Sequence, residues 1–196
     1  MNAIRPPAVA GMFYPASPAS LRIDVDRLLA AAPASTITQQ PKALIVPHAG
    51  YVYSGPTAAR AYATLAPWRA TIRRVVLLGP THRVPVRGLA LPASEAFATP
   101  LGEVRVDATA RAALAGLPQV VVSETAHAQE HSLEVHLPFL QRTLDDFSLL
   151  PLAVGQATPQ AVAEVLERLW GGPETLLVIS SRSEEHTSEL QSPNTI

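Results

Sequence analysis

Cysteine is absent from this chain of 196 residues. No disulfide can form within it, and no thiolate of its own can ligate a metal. Charged residues make up only 16%, with 15 basic and 16 acidic side chains giving a formal net charge of -1. There is no block of like charge, so neither a nucleic-acid footprint nor an anionic-membrane surface is written into the sequence. No apolar run approaches the ~20 residues needed to span a bilayer. The opening "MNAIRPPAVAGMFYPAS" lacks the charged and then apolar layout of a secretory leader. A cytoplasmic protein with no nucleic-acid or membrane partner is the expectation. Gly50 and Gly55 make neither G-x-G-x-x-G nor a P-loop, and the nucleophile elbow G-x-S-x-G is missing.

What is present suits a buried core, with 47% hydrophobic residues. Short apolar runs alternate with segments of helical period, the pattern of a largely parallel or mixed central sheet flanked by helices. "KALIVP" (42–47), "RRVVLLGP" (73–80), "QVVVS" (119–123), "FSLLPLAV" (147–154) and "TLLVIS" (175–180) read as strands buried on both faces. Ser17-Pro18, Asp107 and Thr158-Pro159 read as helix starts, with Gly116 and Gly171 as stops. "SGPTAARAYATLA" from Ser54 reads as a further helix. One domain covers residues 1–181. From Arg182 the chain turns polar, and "RSEEHTSELQSP" resembles the translation of a common sequencing-adapter oligonucleotide. Residues 182–196 are therefore expected to be a non-native tail and are set aside from fold reasoning.

Of the six histidines, His186 lies in that tail and the other five carry the interest. His48 in "IVPHAGYVYSG" and His82 in "LLGPTHRVP" each follow a strand. The crevice outside the carboxyl ends of parallel strands is where open α/β sheets bind ligands. Two imidazoles leaving neighbouring strands there could hold a metal, since neutral imidazole suits iron, copper and zinc. The bland alternative is a loop histidine bonded to backbone. In "HAQEHSLEVHLPFLQRTL", a helix from His127 would align His127, Glu130, His131 and Glu134 on one stripe. Carboxylate beside imidazole moves protons, so His131 and Glu134 are the candidate catalytic acid/base pair. A solvated helix face is the alternative, and Pro138 warns of a later start or a kink. Phe13 and Tyr53 are candidate pocket walls, with core packing as their alternative.

The pieces "AGMFYP", "VPHAGYVYSG", "LLGPTHRVP", "TPLGEVRVD", "EHSLEVHLPFL" and "LLVISS", in that order, resemble the Memo family, also called AmmeMemoRadiSam system protein B. The resemblance spans residues 5–181. It implies an α/β fold similar to LigB-type class III extradiol dioxygenases, and a pocket that binds a copper or iron ion through two His and a Cys. His48 and His82 match the two histidine ligands; Tyr53, His131 and Glu134 match positions in or near the pocket. The family continues from "ISS" into an Asp and later supplies the Cys, whereas Arg182 stands here and no Cys follows. The resemblance thus makes this chain the N-terminal portion of a Memo-like domain with its third ligand missing. Two imidazoles alone hold a divalent ion weakly, so a poorly soluble or metal-free polypeptide is expected. The implied function is a metal-binding protein with a dioxygenase-like pocket, a copper- or iron-dependent redox enzyme. The alternative is a non-catalytic module binding a small molecule or peptide in the same cleft. The family name also implies a radical-SAM partner.

Overall fold

The computed structural model describes residues 4–181. The adapter-like tail, His186 and the departure at Arg182 lie outside the described residues.

Five strands form where consecutive apolar residues predict them, and four short ones join them. In chain order the strands are β1 (Ile4–Arg5), β2 (Ala43–Pro47), β3 (Arg74–Pro80), β4 (Leu89–Leu91), β5 (Ala96–Thr99), β6 (Gly102–Arg105), β7 (Val120–Val122), β8 (Ser148–Val154) and β9 (Thr175–Ser181). The helices are α1 (Pro18–Ala30), α2 (Tyr51–Ala63), α3 (Ala108–Ala113), α4 (Glu124–Ala128), α5 (Leu137–Thr143) and α6 (Pro159–Leu169). A six-stranded sheet runs β2-β9-β3-β8-β4-β7, and a three-stranded sheet runs β1-β5-β6. All pairings in the larger sheet are parallel except β4 with β8, so the sheet is mixed.

Strand β3 shows why its run is apolar without alternation. Val75 and Leu77 pack with Leu21, Val25, Tyr62 and Phe139 on one face. Val76 and Leu78 pack with Leu114, Val165 and Leu169 on the other. Both faces are covered by helices, and each such fully buried side chain contributes roughly 1.5–3 kcal/mol. Strand β7 departs from the expected burial. It is an edge strand bonded only to β4, and Val121 and Val122 are exposed; β2, the opposite edge, departs likewise, with Ile45 exposed.

The caps follow their chemistry. The side chains of Ser17, Asp107 and Thr158 accept from the backbone N–H groups of Ser20, Ala110 and Ala161. Helix α2 begins at Tyr51 rather than after Ser54, which places Pro56 inside it.

The stripe expected from His127 does not exist as one helix face. Helix α4 ends at Ala128, and a single 3-10 turn spans Glu134–His136 before α5 begins with Pro138 in its first turn. A proline there lacks only an N–H that the first turn leaves unbonded anyway, so it starts a helix instead of continuing one. The intervening residues 129–133 are free to turn their side chains in different directions.

Candidate metal centre

His48 follows β2 and His82 follows β3, but these strands are not neighbours: β9 lies between them. The intervening strand brings Ser180 to the site rather than separating the rings. The His48 and His82 ring centroids stand 5.2 Å apart. His131, from the irregular segment 129–133, completes the group, at 4.5 Å from His82 and 5.6 Å from His48. One ligand nitrogen from each of the three lies within 4.8 Å of the others. Donor atoms so spaced could hold one metal ion.

The outer hydrogen bonds fix how two of these rings present themselves. Ser180 Oγ donates to Ser132 O at 2.6 Å, so it can only accept from His48 Nδ1, 2.8 Å away. The proton therefore sits on Nδ1, and Nε2 keeps its lone pair for an ion. The carboxylate of Glu130 accepts from His82 Nδ1 at 2.8 Å, which leaves Nε2 of His82 in the same state. His131 Nδ1 lies 3.4 Å from that same carboxylate oxygen.

Glu130 is held firmly in this role. It also accepts from the backbone N–H groups of His82, His131 and Ser132, at 2.6, 2.9 and 2.9 Å. Burial pushes its carboxyl up, but the bonds from the His82 ring and from the Ser132 and His82 backbone outweigh burial and hold it below the usual carboxylate range. Ser132 links the remaining pieces: its hydroxyl donates to Pro80 O at 2.8 Å, and its carbonyl receives Ser180. His48 is fully buried, while His82 sits at the exposed rim. The group thus has a closed floor and an open mouth.

The other expected site residues fall in different places. Phe13 packs edge-on against His131, with ring centroids 4.8 Å apart. Tyr53 projects from α2 and is 85% exposed. Glu134 is buried away from the imidazole group, where its carboxylate accepts from Arg5, Tyr14 Oη and the backbone N–H groups of Ala8 and Val9. The Nε2–H of His127 donates to Ala90 O, and burial pulls that ring down to about 4. His136 Nδ1 lies 2.9 Å from the Tyr62 hydroxyl; burial pulls this ring down to about 3, aided by the nearby His48.

Three imidazoles, with outer acceptors on His48 and His82, form a donor set suited to a borderline metal ion. The Memo-like protein family model matches residues 5–192. The chain belongs to the Memo family. It is 41% identical over 152 residues to a MEMO1 family protein of Aquifex aeolicus, covering 77% of this chain and 55% of that relative. It is 39% identical over 171 residues to a MEMO1 family protein of Archaeoglobus fulgidus, covering 85% and 60%. Protein MEMO1 of Danio rerio is 35% identical over 180 residues, covering 87% and 59%. The Memo-family chain thus spans little more than half the length of these relatives. Among the described residues, no helix is long and apolar enough to cross a membrane.

The family resemblance gave His48 and His82 as ligands and left the third place empty in this chain. In the structure a third imidazole, His131, stands beside them. Sequence reasoning singled out neither Ser132 nor Ser180, and it placed Glu130 only on a helical stripe, not against His82. Glu130 adjoins His131 in the chain, but its bond to His82 crosses 48 residues and has no local signature.

Proposed function

We propose that this Memo-family chain holds one copper or iron ion on His48, His82 and His131, in a dioxygenase-like pocket that serves redox chemistry on a small molecule. The single observation supporting this reading is that three imidazole nitrogens from distant parts of the chain lie within 4.8 Å of one another. When bound, an ion at that position supplies Lewis acidity and a change of oxidation state. The chain's own groups do the rest. Ser180 and Glu130 hold protons on the outer nitrogens of His48 and His82, which keeps the inner nitrogens basic. Phe13 shields one side of His131 from water. A small molecule enters past His82, the exposed member of the group. The relatives are longer than this chain, and the whole protein would work with the radical-SAM partner that the family resemblance alone implies.

Elemental analysis of the purified chain tests the reading. About one equivalent of copper or iron is expected, falling to background in His48→Ala, His82→Ala and His131→Ala, each checked for a retained unfolding transition. Equal metal content in all four proteins refutes it.

A second reading, ligand binding without turnover, was expected in the same cleft; what favours it is instead a cavity of about 260 Å³ beside Phe13, with Tyr14, Leu28 and Tyr51 but none of the three histidines in its walls. Binding of a small molecule or peptide that survives loss of both metal and His48 would support that reading instead.

A further inference from the structure

Arg5 is a cation buried to 1% exposure, more than a hundred residues from its partners in sequence. Its guanidinium donates through Nε to His127 O at 2.8 Å, through Nη2 to Glu130 O at 2.7 Å and through Nη1 to Glu134 Oε2 at 2.5 Å. The ring of Phe97 lies 4.9 Å from its centre. Two of these acceptors are backbone carbonyls at and just beyond the end of α4, where the chain leaves helical geometry. Glu130 is therefore gripped at both ends: Arg5 holds its carbonyl, and its carboxylate holds His82 and the backbone of His131 and Ser132. The same N-terminal segment meets the other side of the site, since Tyr51 N donates to Phe13 O at 2.8 Å just beyond His48.

We propose that Arg5 is a positioning residue of the metal centre: its planar fork fixes the backbone of residues 127–130, so that Glu130 and His131 meet His82 at the correct angle. The inference rests on the metal-binding reading above. A lysine preserves the charge opposite Glu134 but cannot reach two carbonyls and a carboxylate with one compact ammonium. Side chains that orient a metal's ligands from outside typically change affinity by about 10–100-fold.

The test is a cobalt(II) titration of the full chain, read by visible absorption, which reports both affinity and ligand geometry. Arg5→Lys and the charge-neutral pair Arg5→Met with Glu134→Gln are compared with the parent and with His48→Ala. The expected result is a retained thermal transition in both variants, cobalt binding about 10–100-fold weaker than in the parent, and an altered absorption band. Parent-like affinity and spectrum in either folded variant overturn the proposal. Loss of the unfolding transition in both variants assigns Arg5 to folding alone and overturns it equally. Parent and His48→Ala binding cobalt alike would instead refute the metal centre itself, leaving a distinct signature.

Discussion

Ser180 Oγ stands 2.8 Å from His48 Nδ1 and donates its own hydrogen bond to Ser132 O. One hydroxyl at the end of β9 thus decides the tautomer of a histidine beyond the end of β2. Replacing Ser180 by Ala removes the acceptor and frees His48 to place its proton on Nε2. The expected effect is a loss of about 10–100-fold in metal affinity, measured by competition with a chromophoric chelator. Unchanged affinity would show that the tautomer is set by something other than this hydroxyl.

Glu130→Gln tests the other outer partner. The amide keeps one acceptor oxygen, whereas the carboxylate takes four hydrogen bonds with two. At least one buried N–H then lacks a partner, at a cost of about 1–3 kcal/mol. Chemical denaturation should show that loss, together with weaker metal binding. Because the folded carboxyl titrates below its ordinary range, its contribution is present above the unfolded pKa and disappears as pH falls through the folded one. The parent should therefore lose stability on acidification more steeply than Glu130→Gln.

The major strands, the helix caps and the strand-end positions of His48 and His82 were legible because each depends on local chemistry. Consecutive Val and Leu mark a strand covered on both faces, and Ser, Asp or Thr before a helix supplies an acceptor for open N–H groups. Strand order was not legible. His48 and His82 were expected on neighbouring strands, and nothing local says that β9 inserts between β2 and β3. The 127–136 segment misled for a related reason. Its titratable residues obey helical spacing, yet tertiary bonds to Arg5, His82 and Ala90 draw them to three different places.

Acid stability should be governed in part by two histidines outside the centre. His136 is buried and held neutral, with its folded pKa lowered from 6.5 to about 3; His127 is lowered to about 4. Below 6.5 the unfolded chain takes up protons that the folded chain refuses. Stability therefore falls as pH falls, from 6.5 toward those lower values, where the loss levels off. The total is on the order of several kcal/mol. Thermal midpoints measured between pH 7 and 4.5 should decline before most carboxylates titrate, and His136→Asn should flatten the slope. A flat profile over that interval would contradict the assignment.

Gly79 offers a test that touches no ligand. A methyl group at that position would stand 2.8 Å from Ser132 Oγ, 2.9 Å from Leu133 Cδ2 and 3.1 Å from Ser180 Cβ. The two serines it would displace are the ones joining His48 to the Glu130 segment, and the core leaves them little room to retreat. Gly79→Ala should therefore cost about 1–3 kcal/mol in stability through overpacking. It should also weaken metal binding, although all three imidazoles remain. Gly50→Ala is the matched control, because its added carbon would meet Phe13 only at an ordinary 3.6 Å. If Gly79→Ala lowers stability but binds metal as the parent does, the serine link is scaffolding and does not tune the centre. If both fall together while Gly50→Ala holds steady, close packing behind the histidines is what keeps them aimed at one point.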